Sequence, residues 1–131
     1  MRVADICDRV PVGKLPAKRT SFVHKQLAAG GWVKLTFFEQ MANIGSDVIR
    51  AIKWRDKGRE DYASSASDRA LELLWLTIDD PRNHTRGRLR ELCRLYENLA
   101  DFLYCDNEFR TDPQKLINYF LAFNYAARLG R

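Results

Sequence analysis

From position 36 onward, apolar residues recur every three or four positions in four successive stretches, the spacing that lines one face of an α-helix. Thr36 followed by Glu39 forms a capping box, in which each side chain satisfies a free backbone NH at the helix start. At about 100° per residue, Phe37, Met41, Ile44, Val48, Ala51 and Ile52 lie within roughly 60° of one direction, and Gly58 is the natural stop. Asn43, Ser46, Arg50, Lys53 and Lys57 point outward. A second helix is predicted from near Asp61 or Ser64 to Thr77, ended by Asp79, Asp80 and Pro81, with Ala63, Ala70, Leu71, Leu74 and Ile78 inward. A third runs from Thr85 to Tyr104 with Leu89, Leu92, Leu95, Tyr96, Leu99, Phe102 and Leu103 on one side and Arg86, Arg90 and Arg94 on the other. Asp112 caps a fourth that opens on Pro113, where the missing NH costs nothing, with Leu116, Ile117, Phe120, Phe123 and Ala127 as its stripe.

Four helices joined by short loops form an all-α, up-and-down antiparallel four-helix bundle most economically, and residues 36–131 are assigned to it. Residues 1–35 contain Pro11, Gly13, Pro16, Gly30 and Gly31 and no sustained apolar period. They read as a basic N-terminal arm, poorly structured without a partner, whose end is stapled to the body by Trp32, Val33 and Leu35.

Two helices carry more apolar surface than one bundle stripe needs. Leu76 points about 160° away from Leu74, and Leu121, Tyr125 and Leu129 point roughly 100° to 180° away from Phe120. Such faces mark a contact surface, so Leu76, Leu121, Tyr125 and Leu129 are expected at a homo-oligomer interface. The alternative is that Phe22, Val23 and Leu27 of the arm fold back over them.

Charge changes the picture through its placement. The chain of 131 residues has a formal charge of +5. Residues 1–35 hold seven basic residues against two acids, and the remainder holds 15 of each sign. A cationic segment on a neutral body fits a polyanion partner, because it releases counterions when it meets phosphates. Lys14, Lys18, Arg19 and Lys25 of the arm, with Arg50, Lys53, Lys57, Arg86, Arg90 and Arg94 in rows on two helices, are the candidate nucleic-acid contacts. A solvated tail and helix faces neutralised by Asp47, Asp56, Glu97 and Asp101 are the competing reading.

Catalytic chemistry finds little support. With only His24 and His84, a metal site built on several histidines is excluded, and neither a Gly-rich phosphate loop nor a GxSxG elbow occurs. No metal or cofactor is expected. Arg19 and His24 enclose four residues, the spacing of the RNA-cleaving motif of HEPN ribonucleases, but they fall among Pro and Gly rather than on a bundle helix. Asn124 falls about 40° from the centre of the fourth helix's apolar face, where a buried amide must find partners. Cys7, Cys93 and Cys105 match no zinc or disulfide framework and imply reduced thiols in a cytosol. A signal-peptide core and a membrane-spanning apolar run are both missing, so a cytoplasmic protein is expected.

The run from Phe37 through Lys57, then RALELLWLTIDDP at 69–81, RLRELCRLYENLADFL at 88–103 and FLAFNYAARLGR at 120–131, resembles small bacterial four-helix proteins. These are the accessory variability proteins of diversity-generating retroelements and their relatives encoded in intervening sequences of ribosomal RNA genes. The resemblance implies a non-enzymatic bundle that assembles into a ring, typically of five copies, and binds a reverse transcriptase and nucleic acid. It transfers no individual functional residue. The expected function is therefore a non-catalytic, oligomeric accessory protein for nucleic acid, with a HEPN-like ribonuclease or toxin component and a pure protein-interaction subunit as alternatives.

Overall fold

The computed structural model describes residues 31–129, in which four α-helices and two short 3-10 turns follow one another without a strand. Helix α1 spans Phe37–Asp56, α2 Glu60–Asp79, α3 Arg86–Tyr104 and α4 Pro113–Leu129. The 3-10 turns are Trp32–Lys34, ahead of α1, and Pro81–Asn83, between α2 and α3.

The helix boundaries follow local chemistry. The capping box closes at α1, where the Thr36 hydroxyl accepts from Glu39 N at 3.2 Å and Glu39 Oε1 accepts from Thr36 N at 3.0 Å. Gly58, at φ 75°, reverses the chain into α2. That helix starts earlier than the apolar spacing predicts, with Glu60 and Asp61 in its first turn facing the positive end of the helix dipole. Between α3 and α4, the buried Asp101 accepts from Glu108 N and Phe109 N, both at 3.0 Å, and so holds the turn that Asn107 and Arg110 enter with positive φ. Asp112 Oδ1 then accepts from Gln114 N at 2.9 Å as α4 begins.

Side-chain contacts fix the up-and-down order. Tyr104 near the end of α3 bonds Asp68 in the first half of α2. Tyr119 of α4 donates to Glu91 of α3 at 2.9 Å, and Phe37 at the start of α1 stacks edge-on against Phe123 in the second half of α4 at 5.9 Å. Arg55, at the end of α1, donates to the carbonyls of Phe102 and Leu103 at the end of the diagonal helix α3. The core between them is apolar: Met41, Ile44, Val48, Leu71, Leu74, Leu92, Leu99 and Phe120 are all buried.

Helix α1 packs closely on α2 and α4, and α2 on α3, whereas α3 and α4 approach each other much less. Gly45 sets the α1–α4 spacing. A Cβ added there would lie 2.6 Å from Phe120 Cβ and 2.9 Å from its Cγ, distances that only a bare backbone tolerates.

One end of the bundle is sealed by buried polar groups. Trp32 Nε1 donates to Thr77 Oγ1 at 2.9 Å, and Gln40 Nε2 donates to the Trp32 carbonyl and to Asp80 Oδ2, both at 3.1 Å. Asn83 Nδ2 donates to the Thr77 carbonyl at 2.9 Å and to Gln40 Oε1 at 3.3 Å. Arg82 grips both oxygens of Asp80 and also donates to the Leu35 carbonyl at 2.8 Å. The staple expected of Trp32 is thus real, and it works through hydrogen bonds as well as apolar burial. The Arg82 guanidinium, together with the Gln40 amide, holds the Asp80 carboxyl down at about 2 against the cost of burial.

Gly45→Ala is expected to destabilise the fold by about 1–3 kcal/mol through overpacking against Phe120, despite the roughly 1 kcal/mol by which alanine improves helix propensity. Urea denaturation checks this, and a more stable variant would show that α4 can back away from α1. Asp80→Ala is expected to cost about 1–3 kcal/mol at neutral pH by stranding buried donors. Because folding lowers the Asp80 pKa, its contribution is complete above pH 4 and lost as the pH falls toward 2. Denaturation at pH 7, 4 and 2 should therefore show a loss between 4 and 2 that is smaller in the variant.

Candidate nucleic-acid interface

Arg86, Arg90 and Arg94 form a row along α3, about 6 Å apart per helical step. All three are exposed, and among the described residues none pairs with a carboxylate. The acids expected to neutralise them are engaged elsewhere or turned inward: Asp101 holds the α3–α4 turn, and Glu97 is buried in the bundle. Arg90 and Arg94 line an open groove of about 370 Å³ at the loose α3–α4 seam. Gly87, Glu91, Leu95 and Asn98 of α3, Lys115, Leu116 and Tyr119 of α4, and Thr111 before α4 complete its walls. Glu91, a carboxylate in this lining, accepts from Tyr119. Burial first, then that hydrogen bond and the adjacent charge, push the Tyr119 hydroxyl well above the ordinary phenol range, so it stays protonated as a donor.

The α1 row differs. Arg50 pairs with the buried Asp47 at 2.9 Å, and Arg69 of α2 approaches the same oxygen at 3.6 Å. Lys57 lies 5.3 Å from the ring centre of Trp54. Lys53 remains exposed. Since α1 and α3 are diagonal in the bundle, the two rows lie on separate surfaces. Lys14, Lys18, Arg19 and Lys25 lie outside the described residues, as do His24 and the apolar arm residues Phe22, Val23 and Leu27.

The expected apolar surplus divides in two. Leu76 is half-buried against the core, because α2 is flanked by both α1 and α3, so this helix presents less apolar surface than its sequence implies. On α4, Leu121, Tyr125 and Leu129 are 46%, 61% and 68% exposed and form a continuous outward stripe. The burial expected for Asn124 is corrected: its side chain is exposed in a polar cleft shared with Glu39, Asn43, Ser46 and Arg128. The reason is the tight contact at Gly45, which seats Phe120 and leaves a residue 40° around the helix at the rim.

Cys93 and His84 are among the remaining reactive side chains that the sequence singled out within the described residues. Burial, and then the nearby Glu97, raise the Cys93 thiol pKa, so it is a poor nucleophile. His84 Nε2 meets the Ile78 carbonyl at 2.6 Å, the hydrogen bond of a loop histidine beside the start of α3. No cluster of three His, Cys, Asp or Glu residues suited to a metal ion occurs among the described residues, and no helix there is long and apolar enough to cross a membrane.

Sequence reasoning found the α3 row but missed the groove beside it. Lys115 and Tyr119 were separable from ordinary helix surface only through the spacing of α3 and α4, which no local pattern encodes. No protein family, curated protein or solved structure matches the chain.

Proposed function

We propose that the protein is a non-catalytic helical accessory protein that binds nucleic acid through the α3–α4 groove and works as a homo-oligomer. The observation that carries this reading is the row Arg86, Arg90 and Arg94, free of carboxylate partners among the described residues, of which Arg90 and Arg94 line an open groove together with Lys115. Cations with no structural employment remain available to phosphates, and their regular spacing suits a charged backbone rather than one small anion. The basic residues of the arm add to the same attraction. Base sequence has little influence on such binding. A reverse transcriptase-type nucleoprotein, as the resemblance to retroelement accessory proteins implies, is the partner class proposed.

The stripe Leu121, Tyr125 and Leu129 supports assembly. Burying each large apolar side chain is worth about 1.5–3 kcal/mol, so a few per subunit offset the entropy of association. A second copy using the same α4 face, or a closed ring of up to five copies, satisfies it.

Affinity for RNA and duplex DNA should fall linearly with the logarithm of salt, with a slope of about −0.9 per phosphate neutralised on the duplex. Replacing Arg86, Arg90 and Arg94 together by Ala should flatten that slope by roughly two to three while leaving stability nearly unchanged. Unaltered affinity in this variant would remove the groove from the binding site. Light scattering at micromolar concentration should give a multiple of the monomer mass, and Tyr125→Glu combined with Leu129→Glu should restore the monomer with helical content intact. A monomeric wild-type chain would sink the assembly reading.

A further inference from the structure

We propose that the α1–α2 turn carries a stacking site for an unpaired nucleobase, built on Trp54 and Tyr62. The proposal rests on the nucleic-acid reading above and gives it a preference for single strands. Gly58, with its positive φ, reverses the chain so that residues eight apart meet. The Trp54 and Tyr62 rings lie 4.7 Å apart at 32°, a shallow tilted stack. Neither ring belongs to the buried core, and Tyr62 is 46% exposed. Tyr62 therefore presents to solvent the apolar π-surface on which bases stack, with the half-buried Trp54 beside it.

Cations border both rings. Lys57 Nζ is 5.3 Å from the Trp54 ring centre, and Arg59 Cζ is 4.5 Å from that of Tyr62. Arg59 also lies 6.0 Å from the Trp54 ring centre and pairs with Asp61 at 3.7 Å, an exposed pair of little worth. A flat base can take the place of either cation over its ring, and the displaced side chain then reaches the phosphate next to that base. Arg55, by contrast, is tied to the carbonyls that end α3. The acids Asp56, Glu60 and Asp61 nearly balance the cations of the turn, so charge alone draws little nucleic acid here. Stacking is what the site adds, and a duplex, whose bases are already stacked and paired, cannot use it.

The test compares a short oligouridine strand with duplex DNA on the full-length protein. Tyr62→Leu should lower oligouridine affinity roughly 5- to 150-fold, the range for loss of one stacked base, and leave duplex affinity and salt slope unchanged. Tyr62→Phe should retain wild-type binding, and Trp54→Leu should reproduce the loss. Tyr62 is exposed, so its replacement is readable even if the Trp54 variant folds poorly. Wild-type oligouridine affinity in folded Tyr62→Leu, with nucleic acid still bound, would overturn the stacking site and spare the groove. Failure of the wild type to bind either nucleic acid would overturn both.

Discussion

Where α1 meets α4, bare backbone at Gly45 lies against the Cβ and ring of Phe120, closer than any side chain would permit. Helix α4 is thereby drawn onto α1, while α3 is held by its packing against α2. The two flanks of α4 therefore differ, close packing against α1 on one and an open seam with α3 on the other. Long polar side chains, Arg90, Arg94, Lys115 and the Tyr119–Glu91 pair, border that seam around Leu95 and Leu116. The groove is in this sense the complement of the glycine contact on the other side of α4.

The sealed end supplies the second constraint. Trp32 delivers an indole into the core but brings an NH and a backbone carbonyl with it, and both must be satisfied. Thr77 and Gln40 do so, and Asp80 and Asn83 satisfy Gln40 in turn. The entry to α1 and the α2–α3 connection are joined by one network. Arg88 extends it, donating to Asn83 at 3.4 Å while its guanidinium lies 4.2 Å from the Phe37 ring centre.

What could be read from the sequence is what depends on neighbours along the chain. The capping box at Thr36, the stop at Gly58, the Asp112–Pro113 start and the stripes of α1 and α3 all rest on intervals of a few residues, and the fold realises them. Partners in space were hidden. Asn124 reads as an interior amide, and nothing local marks Gly45 as a contact, because periodicity gives an angle around a helix but not the distance to the next one. Nothing local marks Gln40 and Asp80 as buried, since the network that buries them joins residues some 40 positions apart. The α3 arginines were visible as a row, but whether acids neutralise them depended on where Glu97 and Asp101 point.

The basic residues of the body therefore fall into two sets that composition cannot separate. Arg50, Arg55, Arg82 and Arg88 each have a fixed internal partner: a buried carboxylate, a helix-end carbonyl, or an aromatic face. Their charge is spent within the molecule, and truncating them exposes or strands a buried acceptor. Arg86, Arg90, Arg94 and Lys115 have no such attachment among the described residues, and each keeps its charge in water at little cost. A neutral body can consequently present a positive row, because several of the acids that balance its sum, Asp47, Glu72, Asp80, Glu97 and Asp101, are buried away from it. Net charge by domain concealed this, since it counts a buried Asp47 or Asp101 against an arginine that never meets it.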